Sequence, residues 1–574
     1  MLKKLVRRDV IPYILMFCAM ASFAQKKPNG KGDEQGMVFK SQSRLVVVDV
    51  VAKDKLGRVV IGLRPQDLQI SENGVPQKIS FFEDHTYART GPLRPKLELP
   101  PNQYTNFPSE RPKDSLNVVL FDLVNTPTGD QNYARKEMLK ALETLPKGHQ
   151  LALFILGNRL QMIQGPTGDS DALVAAARTV LASPSRMVQS STEVEAVNDQ
   201  LRSLAQQAGG GGFGTPSPVD EQLRVALTKE QSNLATTRVE FTLSSLEAIA
   251  RIVSGYSGRK NLIWLTAGIP FELGPDMKAD MYHRFRDRRE FAPLLERAEA
   301  LLADAQIAIY PIDVGGLTVG GMDSSMSGRT VTFTGKEYSG ALKDQSDAEW
   351  NNRIAMKSLA DQTGGKAIYG SNDLAGAIGT GIEDGSRYYT IAYVPQNFRP
   401  DGKYRSIKVE PAHGELELKY RKGYLATAEK PASSSDAAKL LASQMLIGVP
   451  ASTALLMKVE VKPPDGERKT VRVEYAFAPG DLTFQDTADK KKRAVLDLMA
   501  VVWNDKGQPA LSTSNTEEAA FKEGTAAETF PRGVPGRQEF TLPAGKYMMC
   551  LGAMDRATEK IGTVWVPLVI GDKK

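Results

Sequence analysis

Four short apolar runs set the limits on what this chain can fold into. Leu116-Asn117-Val118-Val119-Leu120-Phe121 is almost continuously apolar, and comparable runs recur at 150–156, 261–266 and 307–313. A strand with one face in water alternates in polarity, whereas a run that does not alternate is buried on both faces. Helical spacing fills the intervals, over about 130–145, 169–182, 220–254, 280–304 and 347–362, and a short strand at 366–369 closes the series. Strand–helix alternation predicts an open α/β sheet, parallel-dominated, with helices on both faces.

On either side the period changes to two. Arg44-Leu45-Val46-Val47-Val48-Asp49-Val50-Val51-Ala52 is rich in β-branched residues, and Asp54-Lys55-Leu56-Gly57 reads as a turn before a return strand at 58–60. Leu68-Gln69-Ile70 is a short strand, and Glu72-Asn73-Gly74 is a strong hairpin signal with 77–82 as its expected partner. Segments 388–394, 404–410 and 415–420 alternate cleanly. About four strands before the α/β region and three after it make roughly seven, the number in an immunoglobulin-like sandwich. Neither group alone offers enough apolar face, so the α/β region is expected to be inserted in one β domain. A second β-sandwich is expected from runs at 455–461, 470–477, 495–502, 538–542, 546–551 and 562–569. The expected order is a signal peptide (1–24), a half-sandwich (38–85), a Pro-rich linker (86–114), the α/β domain (115–384), a second half-sandwich (386–425), an Ala/Ser/Lys-rich linker (427–440) and a C-terminal β-sandwich (441–574).

Composition narrows the function classes. With 574 residues, 41% hydrophobic and 24% charged, the chain has enough apolar surface for several cores. That excludes a wholly disordered chain, a collagen-like fibre and a polytopic membrane protein. The 73 basic and 67 acidic residues nearly balance, so no nucleic-acid partner is called for. Lys3, Lys4, Arg7 and Arg8 precede an apolar run over 11–24 that closes on Ser22-Phe23-Ala24. The run is shorter than the roughly 20 residues a spanning helix needs, which marks a secretory signal. Phe17 before Cys18 argues against lipidation. Cleavage would remove four cations and Asp9, a net of three charges, taking +6 to +3. It would leave Cys550 as the one thiol and no internal disulfide. The expected location is periplasmic, outer-surface or secreted, with no transmembrane span after signal removal.

Val118-Val119-Leu120-Phe121-Asp122-Leu123-Val124-Asn125-Thr126 resembles the first strand and metal loop of the von Willebrand factor A fold. The stretch 38–425 is similar to the von Willebrand factor A-related proteins abundant in Acidobacteria. The blocks that carry the resemblance are Val48-Asp49-Val50-Val51, Asp54-Lys55-Leu56-Gly57, Asp67-Leu68 before Glu72-Asn73-Gly74, Gly258-Arg259-Lys260-Asn261-Leu262-Ile263-Trp264, Tyr393-Val394-Pro395 and Tyr420-Arg421-Lys422-Gly423-Tyr424. The resemblance implies a Rossmann-like von Willebrand factor A domain, inserted in or flanked by β-sandwich domains, with no established activity.

It also implies a place for Mg²⁺, built from Asp-x-Ser-x-Ser, a threonine from a second loop and an aspartate after the fourth strand. Asp122 matches the first ligand and Thr126 the third, but Val124 replaces the second. The expected Thr-Asp-Gly is Thr266-Ala267-Gly268, so a carboxylate is missing. Asn125 could add an amide oxygen, Thr242 or Thr237 a hydroxyl, and Asp313 a carboxylate from the next strand. The bland alternative has Asp122 bonding loop amides and Thr126 capping the helix.

Catalysis finds less support in the sequence. His85, His149, His283 and His413 are scattered, and Cys550 lies in an apolar strand. Gly209–Gly214 lacks the strand and Gly-Lys-Ser/Thr of a phosphate loop. The basic runs Arg284–Arg289 and Lys490–Arg493 have acidic neighbours and read as solvated faces. Segments 186–220 and 315–340 read as insertions, the second carrying Met322, Met326 and Phe333. The expectation is an exported, non-catalytic protein-binding or adhesion-type module without cofactor, its partner an unidentified protein at the envelope or outside the cell. The alternative is a Mg²⁺-dependent adhesion module with an altered ion site; an envelope enzyme is a third class.

Overall fold

Leu116–Asp122 and Lys260–Thr266 are buried at every position, because helices cover both sides of the sheet they share. The computed structural model describes residues 45–86, 99–107, 115–144, 149–181, 218–268, 294–315, 353–426, 434–462 and 469–571, apart from a few single positions and pairs. All of these fall within one compact unit, Arg44–Lys574. The expected signal peptide, most of segment 186–220, segment 316–340 and the Arg284–Arg289 run lie outside the described residues.

The α/β sheet has the order Ile307–Asp313, Lys260–Thr266, Leu116–Asp122, Gln150–Leu156, Leu160–Thr167. The first four strands are parallel and the last is antiparallel. Ile368 adds a single parallel bridge to Ile312. One face packs Val119, Phe121, Leu153 and Ile263 against helices Thr128–Glu143, Ser170–Leu181 and Leu374–Asp384. The other packs Val118, Leu120, Phe154 and Trp264 against helix Pro218–Val253 and helices over 297–304 and 353–363. Strand Leu160–Thr167 escapes the sequence reading because Gln161, Gln164, Gly165 and Pro166 break any apolar period. At a sheet edge such residues are tolerated, since Pro166 has no N–H to leave unpaired. The chain pairs first on one side of Leu116–Asp122 and then on the other. Such a reversal of strand order opens a crevice at the carboxyl ends.

Residues on both sides of this domain share one sandwich. One four-stranded sheet runs Glu417–Lys419, Val46–Lys53, Tyr389–Tyr393, Phe81–Asp84, and the other Gly423–Leu425, Tyr404–Pro411, Leu68–Glu72, Val75–Gln77. Val48, Val50, Ile70, Ile391 and Val409 fill the space between them. Asn73 and Gly74 both take positive φ, 48° and 80°, which closes a two-residue hairpin. The hairpin partner is Val75–Gln77, not 77–82, and Phe81–Asp84 crosses to the other sheet. The return strand expected at 58–60 is reduced to one bridge, Lys53 to Val59.

The C-terminal sandwich corrects three expectations. Gln103–Thr105, within the supposed linker 86–114, is a strand paired with Met457–Lys462. Asn106 then fastens it: its amide donates to Ser452 O and Leu455 O and its Oδ1 accepts from Met457 N, each at 2.8 Å. In the second supposed linker, helix Ser434–Ser443 begins and buries Ala437 and Leu441 against Val501 and Cys550. Strand Pro509–Lys522 pairs along Lys491–Asn504, although its run of Ser, Thr and Glu lacks an apolar face. Two-sided burial is not required of a strand on an outer ribbon. Among the described residues no helix is long and apolar enough to cross a membrane.

Charged groups sit in the seams between domains. Asp384, at the end of helix Leu374–Asp384, takes Lys53 from one sandwich strand and Lys419 from another. Thr453 accepts from Gly255 N and donates to Ile252 O, where a Cβ on Gly255 would collide with it. Lys260 is only 2% exposed, and Asp49 across the seam is held by Thr390 Oγ1 (2.7 Å) and Gln306 Nε2 (3.1 Å). Burial pushes the Lys260 ammonium down to about 8, with Asp49 pulling the other way. Below that value the folded chain carries a costly buried charge. Between pH 8 and 10.5 the folded state has shed the proton that the unfolded state keeps, so stability rises with pH across this window. Lys260→Met is therefore expected to be more stable than the parent at pH 7, by about 3 kcal/mol, with the gain gone near pH 10.5. Denaturant midpoints at the two pH values test this; an unchanged or lower midpoint at pH 7 contradicts it.

Candidate functional site

The carboxyl end of the central strand, at the strand reversal, is organised by one carboxylate. Asp122 ends the central strand with no exposed surface, so an ionised side chain there must find hydrogen bonds inside the protein. Its Oδ1 accepts from the backbone N–H groups of Val124 and Asn125, both at 3.0 Å. Its Oδ2 accepts from Asn125 Nδ2 (2.8 Å), Trp264 Nε1 (3.1 Å) and Thr266 Oγ1 (3.1 Å). Asn125 Nδ2 also donates to Thr242 Oγ1 (2.8 Å), which in turn donates to Arg238 O (2.7 Å). The first strand, the strand beside it and the long helix thus meet at Asp122. Burial pushes its carboxyl above the usual range, while the bonds from Asn125, Trp264 and Thr266 pull it down in part.

Sequence candidates fall into two groups. Asp122, Asn125 and Thr242 are brought together; Thr237 is on the exposed side of the same helix. Thr126 is buried, yet its hydroxyl does not cap the helix, whose N-cap is Pro127 with no side-chain bond. Asp313 is level with Thr266 one strand further out, and its Oδ1 accepts from Gly315 N at 2.9 Å. Val124 packs on the apolar layer beneath the long helix. The sequence reading missed Trp264 and gave Thr266 no part in holding Asp122. Their spacing of two residues places both on one face of a strand, and a buried indole N–H requires an acceptor. Those two facts were the available signal.

The donor set around Asp122 does not suit Mg²⁺. A carboxylate offers about four lone-pair positions, and five protein donors already converge on Asp122. The residues as arranged leave that oxygen pair no capacity for a cation, and Ala267 adds no second carboxylate. Two oxygens nearby in sequence are different: Asn125 Oδ1 and Thr126 Oγ1 are buried and bond to no described residue. No group of three or more His, Cys, Asp or Glu side chains suited to a metal occurs among the described residues.

Other reactive side chains are scattered. Cys550 is fully buried and burial pushes its thiol well up, so thiolate is scarce. His85 stacks on Tyr388 at 4.5 Å between ring centres. His283 lies outside the described residues.

No protein-family model matches the chain, and no curated protein matches it. Among solved structures it is similar to an aerotolerance-related membrane protein of Bacteroides fragilis, at 10% identity over 47% of this chain and 98% of that one, TM-score 0.23. It is similar to proximal thread matrix protein 1 of the mussel byssus with a zinc-occupied MIDAS motif, at 12% identity over 49% and 47%, TM-score 0.22. A third is the ArnB paralog VWA2 of Sulfolobus acidocaldarius, at 10% identity over 88% and 75%, TM-score 0.19. Scores this low carry no weight for fold or function, which rest on the strand order and chemistry of this chain.

Replacing Asp122 tests its role as an acceptor hub. Asp122→Asn keeps the shape but turns an NH₂, with one more hydrogen than the O–H of a protonated Asp122, toward N–H donors, and a loss of about 1–3 kcal/mol is expected at the acid end. The raised folded pKa means the parent loses stability as pH climbs above the ordinary value of 3.8, a loss the variant lacks. The deficit of the variant should therefore be widest at the acid end and narrow as pH rises. Urea midpoints of both proteins from about pH 4 to pH 8 check the sign; a deficit that widens with pH contradicts it.

Proposed function

We propose that the α/β domain is of the von Willebrand factor A type and acts as a non-catalytic protein-binding module through the carboxyl edge of its sheet. The observation that carries this reading is Asp122, saturated by five protein donors at the strand reversal. The edge is thereby organised by the chain's own hydrogen bonds, so a partner can engage it without a resident metal. Strand order supports the fold assignment: neighbours on both sides of the first strand, with an antiparallel edge beyond the second. The basic start, short apolar run and Ser22-Phe23-Ala24 of the N-terminus support export, to the periplasm, the outer surface or the medium. The partner on this reading is a protein met at the envelope or outside the cell.

One observation favours a second reading, a Mg²⁺-dependent adhesion module with an altered ion site. The buried, unbonded Asn125 Oδ1 and Thr126 Oγ1 are oxygen donors of the type such an ion takes, although ordered water would satisfy them equally. Asp122 would have to release a hydrogen bond to join them.

Calorimetry separates the two. Titrating the chain with Mg²⁺ or Mn²⁺ is expected to give no saturable heat at about micromolar levels, and partner capture from an envelope extract should persist in chelator. Saturable binding that disappears in Asp122→Ala would establish the ion-dependent reading instead.

A further inference from the structure

The C-terminal sandwich holds an open groove of about 420 Å³, beside the short strand Gln485–Asp486 where it pairs with Lys491–Asn504, and its Asp486, Arg493 and Glu518 side chains are about half exposed. Its volume is within the range of small-ligand sites, about 300–1,000 Å³. Four of its described lining residues are charged, Asp486, Arg493, Glu518 and Arg556, two of each sign. Arg556 is locked in place: Nε donates to Asp497 Oδ2 at 2.9 Å, and Nη2 donates to Asp497 Oδ1 and to Thr516 Oγ1. Its remaining nitrogen, Nη1, bonds to no described residue. Arg493 donates through Nη2 to one oxygen of Glu518, which leaves its other N–H groups and the second Glu518 oxygen unengaged among the described residues. The Gln485 amide likewise bonds to no described side chain or backbone. Val495 and Ala557 are the apolar residues of the described lining.

We infer that this groove binds a neutral saccharide. Each hydroxyl of a vicinal diol donates one hydrogen bond and accepts others, so it needs donors and acceptors side by side. Arg493 with Glu518, and Gln485 alone, present that combination with capacity to spare. Asp486 is paired with Lys492 at 2.7 Å, Glu518 with Arg493 and Arg556 with Asp497, so no unpaired charge among the described lining residues selects an anion or a cation. A flat aromatic ligand would find no ring among the described lining residues. Val495 and Ala557 offer the C–H face of a pyranose an apolar contact. The site lies outside the α/β domain and stands independently of the protein-binding reading above.

The test uses the full chain, titrated calorimetrically with cellobiose, mannobiose and lactose, and in parallel with digalacturonate and glucosamine disaccharide. At least one neutral sugar should bind saturably with Kd of about a millimolar or tighter. Gln485→Ala and Glu518→Gln should each weaken it about fivefold. The Gln485→Ala variant touches no internal hydrogen bond, so its unfolding midpoint should match the parent and it decides the matter should Glu518→Gln fold poorly. Absence of neutral-sugar binding, preference for the uronate or the amino sugar, or binding indifferent to Gln485→Ala would each overturn the inference. None of these outcomes bears on chelator-resistant capture at the α/β edge.

Discussion

Everything at the carboxyl edge of the α/β sheet depends on how a buried carboxylate is kept tolerable. An ionised Asp122 with no exposed surface would be prohibitively costly alone. Two backbone N–H groups of its own loop, an amide, an indole and a hydroxyl surround it, and each comes from a different constraint of the fold. The loop turns so that its amides face back to the strand end. Trp264 and Thr266 are held by parallel register with the central strand, and Thr242 reaches Asn125 from the long helix. The carboxylate therefore reads out the correct assembly of three elements, and a shift of any one leaves donors or acceptors unpaired in a dry site.

The same device recurs where domains meet. Asp384 is 4% exposed and is shared by two lysines from two strands of the first sandwich, so the helix carrying it is docked by charge as well as by apolar packing. Asn106 uses both ends of its amide to bind three backbone groups of the C-terminal sandwich. Thr453 reaches the end of the long helix at Gly255, the one residue type that permits so close an approach. Each contact is polar, buried and directional. Apolar packing alone would allow the domains to slide, whereas an unpaired buried polar group would not be tolerated in a slid arrangement.

Particular residues show what is legible in a sequence of this kind. The unbroken apolar run ending at Asp122 announces a strand covered on both sides, and Asn73-Gly74 announces a tight hairpin, because both depend only on neighbours in the chain. Leu160–Thr167 and Pro509–Lys522 are illegible for the opposite reason. An edge or outer ribbon asks little of its side chains, so its strand character comes from the partner's backbone. Gln103–Thr105 is the extreme case: a proline-flanked tripeptide becomes a strand only because Met457–Lys462 presents an open edge. At the candidate site, Asp122 and Asn125 stand out as polar residues closing an apolar strand. Trp264 and Thr242 do not, since nothing local says that the indole N–H meets the Asp122 carboxylate, or that the hydroxyl meets the Asn125 amide, more than a hundred residues away.

The sequence by itself determined the two periodicities, the buried strands of the α/β domain, the Asn73-Gly74 turn and the absence of a second carboxylate at Ala267. These follow from local sterics, side-chain spacing and residue identity, which need no knowledge of the rest of the chain. Only the tertiary structure decided that Phe81–Asp84 changes sheets, that Gln103–Thr105 belongs to the C-terminal sandwich, and that five donors converge on Asp122. Those outcomes turn on hydrogen bonds between residues far apart in sequence, whose energy depends on a meeting that no local pattern encodes.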